Sequence, residues 1–114
     1  MPNPVVHFEI GCRDREKSTA FYQQLFDWQM SPGPMSTDIT TDAGSSVTGH
    51  IVSLGHEPFQ YTNFYVQVDD LTQSLAKAES LGGKIIIPPV PLPNGSSFAW
   101  FSDPDGNTIG LLQR

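Results

Sequence analysis

The chain has 114 residues, which is enough for one domain with a modest core and too few for two independent domains. Its 12 acidic and 6 basic residues give a net charge of −6, and no Lys/Arg cluster exists to neutralise a phosphate backbone, which argues against nucleic-acid binding. No apolar run approaches the ~20 residues of a membrane span, and the N-terminus lacks a signal-peptide pattern. Because Cys12 is the single cysteine, no internal disulfide forms, and we expect a cytoplasmic protein.

The first half of the chain predicts a strand, a helix and then three short strands. The opening strand is rich in β-branched and aromatic residues, and alternation along it places His7 and Glu9 on one face. Asp14 is suited to cap the helix, in which Phe21 and Leu25 recur at four-residue spacing. The predicted elements are strands at 5–10, about 30, 36–41 and 47–54 and a helix at 15–26, with turns at 32–34 and 42–46.

The second half predicts the same order of elements. A strand at 63–68 leads to Asp70, which can cap a helix with Leu71, Leu75 and Leu81 facing inward. Gly82 and Gly83 end that helix. The remaining predicted elements are strands at 84–87, 97–102 and 108–112, a proline-broken connection at 88–93 and turns at 94–95 and 103–106.

The two halves form an internal repeat. His7 aligns with Asn63 and Asp14 with Asp70 at the same offset of 56 residues, without a gap. Each half therefore predicts one βαβββ unit, and together they predict an α+β domain in which two similar units share a sheet.

These units and their motifs resemble the vicinal-oxygen-chelate superfamily, which contains glyoxalases, bleomycin-resistance proteins and extradiol dioxygenases. The resemblance is carried by His7-Phe8-Glu9-Ile10, Asp14, the helix segment 21–26 and the closing hairpin 101–109. It implies a single domain over residues 1–114, with a first unit at about 4–56 and a second at about 60–113, forming a curved mixed sheet. It also implies a homodimer.

Members of that superfamily commonly hold a divalent metal in the cavity between two units, using His, Glu or Gln from four strands. The resemblance places these four positions at His7, Asn63, Gly110 and, by aligning 49–52 with 107–110, Val52. Asn63 is a poor ligand and Gly110 offers no side chain. His50 precedes Val52 by two residues, shares its strand face and could still reach the cavity. We therefore expect a degenerate site without a cofactor.

The same resemblance identifies candidate ligand-binding residues. Asn63 and Tyr65 share a strand face and can supply hydrogen bonds, while Trp100 can stack on a planar or cationic ligand. Glu9 is the candidate catalytic residue, because burial raises the pKa of a carboxyl group and favours a general base. The complete set is His7, Glu9, His50, Asn63, Tyr65 and Trp100. The structural alternatives are a packed strand histidine, a solvated Glu9 and a Trp100 that only fills the core.

The sequence therefore favours a protein that binds a small molecule without the full metal site of its superfamily. The alternative is an enzyme related to glyoxalase I, a lyase, isomerase or dioxygenase, in which His7 and His50 hold Zn, Ni, Mn or Fe with Glu9. Glyoxalase I activity itself is not expected, since Asn63 and Gly110 remove two ligands. A metal-free proton-transfer enzyme using Glu9 also stays open.

Overall fold

A computed structural model describes residues 2–42, 44, 47–55 and 57–114, so the turn predicted at 42–46 lies partly outside the described residues. The strands are β1 (Val5–Gly11), β2 (Gln29–Pro32), β3 (Ser36–Thr40), β4 (Thr48–Val52), β5 (Tyr61–Gln67), β6 (Lys84–Pro91), β7 (Ser97–Ser102) and β8 (Thr108–Gln113). The helices are α1 (Arg15–Phe26) and α2 (Leu71–Ser80). The βαβββ order thus occurs twice, as predicted.

Two compact units divide the chain. The N-terminal unit is Val6–Asn63, and the C-terminal unit is Phe64–Arg114 together with residues 2–5. In the N-terminal unit the strands follow the order β2-β3-β4-β1, with β1 and β4 parallel and the other pairs antiparallel. In the C-terminal unit the order β5-β8-β7-β6 repeats this arrangement, with β5 and β8 parallel. Strand pairing is therefore mixed, parallel and antiparallel, within each unit.

The helices begin at the predicted caps. The Asp14 carboxylate accepts a hydrogen bond from the Lys17 backbone N–H, and Asp70 accepts one from Gln73, so each satisfies a free N–H in the first turn. The helices differ in packing. Helix α2 buries Leu71 and Leu75, whereas α1 has no buried residue among its described positions.

Each unit has its own apolar cluster. Cys12 is buried in the cluster of the N-terminal unit, where it has a packing role. The cluster consists of Cys12, Ile39 and Ile51, with Phe8, Ile10, Tyr22, Trp28 and Met30 packed against it. The cluster of the C-terminal unit consists of Val68, Leu71, Leu75, Ala99 and Leu111, with Val66 and Phe101 packed against it.

Two local predictions were wrong. The strand predicted to stop at 87 continues through Pro88 and Pro89 to Pro91, because β6 lies at the end of the strand order and its pairing with β7 is interrupted by irregularities. Leu81 does not face inward: it lies one residue beyond α2 and is 70% exposed. In the described part of the chain, neither helix is both long and apolar enough to span a bilayer.

Candidate functional site

A chain of polar side chains crosses the N-terminal unit from its surface inward. It begins at Thr48, an exposed residue at the start of β4. The Thr48 hydroxyl lies 2.6 Å from Nδ1 of His7 on β1, and His7 Nε2 lies 2.6 Å from Nδ1 of His50 on β4. Both imidazoles are partly buried, and their rings stack with centroids 4.9 Å apart. His7 and His50 thus lie in direct contact.

Glu9 continues this chain into the interior. Its residue is 3% exposed, and its carboxylate Oε1 lies 3.6 Å from His50 Nε2. The other carboxylate oxygen accepts a hydrogen bond from the Tyr61 hydroxyl of β5. Gly11 permits this contact, because a Cβ at that position would collide with the Tyr61 ring. The buried carboxylate is therefore held between an imidazole and a phenol.

The phenol acts as the hydrogen-bond donor to this carboxylate. Burial raises the pKa of Tyr61, and the hydrogen bond and negative charge of Glu9 raise it further. Tyr61 therefore keeps its proton throughout the neutral range.

The strand register corrects one predicted position. On β1 and β4, Glu9 pairs with His50, whereas on β5 and β8 Tyr65 pairs with Gly110. Glu9 and Tyr65 occupy corresponding positions of the repeat, because they are 56 residues apart. Their partners on the neighbouring strands, His50 and Gly110, therefore correspond to each other as well. The alignment that placed Val52 there was wrong by two residues. The sequence comparison aligned β4 with β8, the last strand of each unit, without a gap. It could not detect that the segments preceding these two strands differ in length.

Asn63 lies on the same face of β5 as Tyr61, two residues further along the strand. Its residue is 6% exposed, and both the amide nitrogen and the amide oxygen are buried without a hydrogen-bond partner among the described residues. Leaving a buried amide unpaired costs about 1–3 kcal/mol. Asn63 is therefore a polar group of the N-terminal unit whose hydrogen-bonding capacity is left unused.

The remaining predicted residues, Tyr65 and Trp100, pair with each other in the C-terminal unit. Trp100 Nε1–H donates to the Tyr65 hydroxyl over 2.8 Å, and Phe98 meets the Tyr65 ring edge to face. The Tyr65 ring lies against Gly110, where an added Cβ would collide with it. An aromatic ring thus fills the space beside Gly110, one of the four positions that the resemblance assigns to metal ligands.

The donor geometry does not fit the divalent metal that superfamily members often use. His50 turns Nδ1 toward His7 and Nε2 toward Glu9, and the two ring nitrogens of an imidazole point away from each other. The donor atoms of His7, His50 and Glu9 are therefore not directed at one common point. Within the described ranges, no group of three or more His, Cys, Asp or Glu side chains is arranged to hold a metal ion.

Two residues of the polar chain, Tyr61 and Thr48, were not identified from the sequence. The predicted strand began at residue 63, so Tyr61 was assigned to the connection before it. A signal was nevertheless present: Tyr61 precedes Asn63 by two residues, and Gly11 follows Glu9 by two, which leaves space for a ring. Thr48 carried no comparable signal, because threonine is common in strands for reasons of packing.

Proteins of similar sequence match this chain over more than nine-tenths of its length. A "Glyoxylase-like domain-containing protein" from Didymella fabae is 27% identical over 93% of this chain and 90% of its own length. The Mycobacterium bovis protein CFP32 is 39% identical over 92% of this chain but only 43% of its own length. The chain thus spans less than half of that relative.

Solved structures with low sequence identity show the same fold. Methylmalonyl-CoA epimerase from Mycobacterium tuberculosis has a TM-score of 0.74 at 12% identity, covering 96% of this chain and 86% of that one. A glyoxalase/bleomycin resistance protein/dioxygenase superfamily member from Vibrio splendidus 12B01 has a TM-score of 0.68 at 17% identity, covering 99% and 100%. These similarities confirm the predicted α+β fold class. Because residues 5–111 also match the sequence profile of the Glyoxalase/Bleomycin resistance protein/Dioxygenase superfamily, the chain belongs to that superfamily.

Proposed function

We propose that this protein binds a small polar molecule at the face of the N-terminal unit formed by Asn63, Tyr61 and Glu9. The observation that carries this proposal is the buried Asn63 amide, which has no hydrogen-bond partner in the described part of the chain. Buried polar groups in folded proteins are nearly always paired. A ligand that accepts from Nδ2 and donates to Oδ1 would supply the missing partners.

The neighbours of Asn63 suit such a ligand. Tyr61 lies two residues away on the same strand face, and its hydroxyl donates to the buried Glu9 carboxylate. A strand rises about 3.3 Å per residue, so side chains two residues apart are separated by about 7 Å, which is the span of a small metabolite. One molecule can therefore contact Asn63 and reach the Glu9–Tyr61 pair.

The substitution Asn63→Leu tests this proposal because it separates binding from folding. Leucine has the same number and branching of heavy atoms as asparagine, with bulkier methyl groups, and it needs no hydrogen bond, so it removes the unpaired amide. We expect the free protein to keep or raise its melting temperature. Ligands found in a saturation-transfer NMR screen of small polar fragments should bind the variant at least tenfold more weakly, since a lost hydrogen bond of about 1.5 kcal/mol corresponds to that factor.

Thr62→Ala is the matched control, because Thr62 is exposed on the opposite face of β5. It should leave both the affinity and the melting temperature unchanged. If every fragment that binds is indifferent to Asn63→Leu, or if that variant loses stability, Asn63 has a structural role and the proposal fails.

The proposed binding does not use the metal ligand set of the superfamily. His7 and His50 contact each other, Asn63 is an amide, and Gly110 has no side chain. The alternative of a metal-dependent lyase, isomerase or dioxygenase requires these donors to rearrange. Uptake of one equivalent of Zn²⁺, Ni²⁺, Mn²⁺ or Fe²⁺ that is lost in His7→Ala would contradict the metal-free proposal. The ligand contacts predicted for Tyr65 and Trp100 stay predictions.

We further propose that the protein acts as a homodimer, as its superfamily resemblance implies, and that it works in the cytoplasm. Large apolar side chains on α1 support the first proposal, because Phe21, Leu25 and Phe26 are each more than half exposed. The single cysteine, Cys12, is buried and forms no disulfide, which is compatible with the second. Fluorescence microscopy of a tagged chain that shows secretion or membrane association would refute the cytoplasmic location.

A further inference from the structure

We infer that Asn63 selects ligands that carry a cis amide, a group with an N–H donor and a C=O acceptor on the same edge, as in a lactam or a primary carboxamide. This inference rests on the proposed binding site and names the chemical class of its ligand. It is carried by the Asn63 amide, in which neither Nδ2, a donor, nor Oδ1, an acceptor, has a hydrogen-bond partner among the groups that the structure describes.

The internal repeat explains why the Asn63 amide lacks a partner within the chain. His7 occupies the corresponding position in the first half, at the repeat offset of 56 residues. Both of its ring nitrogens are paired, one with Thr48 and one with His50. Gly110 is the counterpart of His50 and has no side chain that could pair with Asn63 in the same way. The hydrogen bonds of Asn63 are therefore available to a ligand.

A cis amide matches both Asn63 atoms at once. The nitrogen and the oxygen of the side chain are bonded to the same carbon, so one edge of the amide presents a donor beside an acceptor. A lactam presents the same pair and can form two parallel hydrogen bonds with this edge. Rotating the Asn63 amide by half a turn exchanges its donor and its acceptor and leaves the requirement on the ligand unchanged.

Burial of the amide makes this match selective. Because both Asn63 atoms are buried in the free chain, a ligand enters as neighbouring side chains change rotamer, which is common at binding sites. Its polar edge is then shielded from water, so water cannot pair with a mismatched atom. Lactones present acceptors only, and the N–H and C=O of a trans amide point in opposite directions. Each would leave one Asn63 atom unpaired, which weakens binding at least about tenfold.

Three small neutral probes separate these cases. The first is 2-pyrrolidinone, a lactam, the second is γ-butyrolactone, which has the same ring with oxygen in place of N–H, and the third is N-methylacetamide, a trans amide. Neutral probes are used because the net charge of −6 by itself weakens the binding of anions. Affinities are measured by NMR titration of ¹⁵N-labelled, chelator-treated protein.

We expect 2-pyrrolidinone to bind at least about tenfold more tightly than γ-butyrolactone or N-methylacetamide. The side-chain NH₂ signals of Asn63 should shift when the lactam binds, because the amide gains hydrogen bonds. Binding of acetamide in place of 2-pyrrolidinone, with the same shift of the Asn63 signals, would identify a primary carboxamide as the source of the cis amide.

The variant Asn63→Leu tests whether the preference comes from this amide. It should lower the affinity for 2-pyrrolidinone to that for γ-butyrolactone, since leucine offers neither a donor nor an acceptor. Thr62→Ala, on the exposed face of β5, should leave the preference unchanged. Circular dichroism verifies that each variant is folded. If Asn63→Leu does not fold, the Asn63 signals of the wild type still decide whether the lactam contacts the amide.

The outcomes separate the inference from the proposed function. If other fragments bind at Asn63 but 2-pyrrolidinone and acetamide do not, the ligand class is wrong and the binding site stands. The same conclusion follows if the lactone binds as tightly as the lactam. A lactam preference that persists in Asn63→Leu would assign the selectivity to another residue and overturn the inference. If no fragment binds in a manner sensitive to Asn63→Leu, the proposed function itself fails.

Discussion

Two glycines each leave space for the ring of one tyrosine. Gly11 leaves space for the Tyr61 ring, and this allows the phenol to reach Glu9. Gly110 leaves space for the Tyr65 ring, whose hydroxyl accepts from Trp100. In both places a side chain would collide with the ring and displace a polar contact. Glycine is therefore required at these positions because two groups approach closely, and not because of an unusual backbone angle.

Gly110→Ala should destabilise the protein, because its methyl group would overlap the Tyr65 ring in a packed sheet. Such overpacking costs about 1–3 kcal/mol in the free energy of unfolding. Urea unfolding followed by circular dichroism provides the measurement. Gly44→Ala is the matched control, because no atom of the described residues lies within 4 Å of a Cβ added there. Equal stabilities of the two variants would show that Tyr65 moves aside without cost.

At the scale of secondary-structure elements, short-range polar contacts determine where elements begin and turn. Asp14 and Asp70 cap the two helices at equivalent positions of the repeat. Asp103 has the same kind of role in the β7–β8 hairpin. Its carboxylate accepts from the Asn107 side chain over 2.9 Å and from the Asn107 backbone N–H over 2.8 Å. These contacts close the turn between the last two strands.

The hairpin contact predicts a defined pH dependence. The hydrogen bond from the Asn107 side chain, followed by that from its backbone N–H, lowers the pKa of Asp103 below its ordinary value of 3.8. Because the folded-state pKa is lowered, the stabilisation is present above pH 3.8 and is lost as the pH falls through the lowered pKa. Asn107→Ala should raise the pKa of Asp103, as measured by carbon-detected NMR titration. An unchanged titration would show that the side-chain contact is absent in solution.

At the scale of the whole molecule, the main feature is apolar surface that is exposed to solvent. Helix α1 has no buried residue among its described positions and exposes Phe21, Leu25 and Phe26. Helix α2 buries Leu71 and Leu75 in the cluster of the C-terminal unit. Two helices at equivalent positions of the repeat therefore differ in how much apolar surface they leave exposed. A contact with a second chain would remove the α1 surface from water.

Light scattering at micromolar concentration should therefore give twice the monomer mass. Leu25→Lys should shift the equilibrium toward monomer, because a charge placed in an apolar contact is costly to bury. Leu81→Lys is the control, since Leu81 is the repeat equivalent of Leu25, follows the end of α2 and is also exposed, at 70% against 58% for Leu25. A wild-type monomer would refute the dimer, and dissociation by Leu81→Lys alone would show that α1 is not the contact.

Much of the fold followed from the sequence because it depends on local patterns. The bounds of α1, both helix caps and the two βαβββ units were predicted correctly from side-chain spacing and capping residues. The errors arose where the structure depends on contacts between residues that are far apart in the sequence. Pro88 and Pro89 are part of β6 because β6 is the last strand in the strand order. The equivalent of Gly110 was misplaced because the register of a strand depends on its pairing with neighbouring strands.

The sequence by itself determined the element order, the repeat and the residue types available for chemistry, because helical and strand periodicity and capping act over a few residues. Only the tertiary structure decided how those residues are used. It brought Tyr61 to Glu9 across 52 positions of the chain and His50 to His7 across 43. It also left the Asn63 amide without a hydrogen-bond partner among the described residues. These contacts depend on strand pairing and on the space beside a glycine, and neither can be read from neighbouring residues.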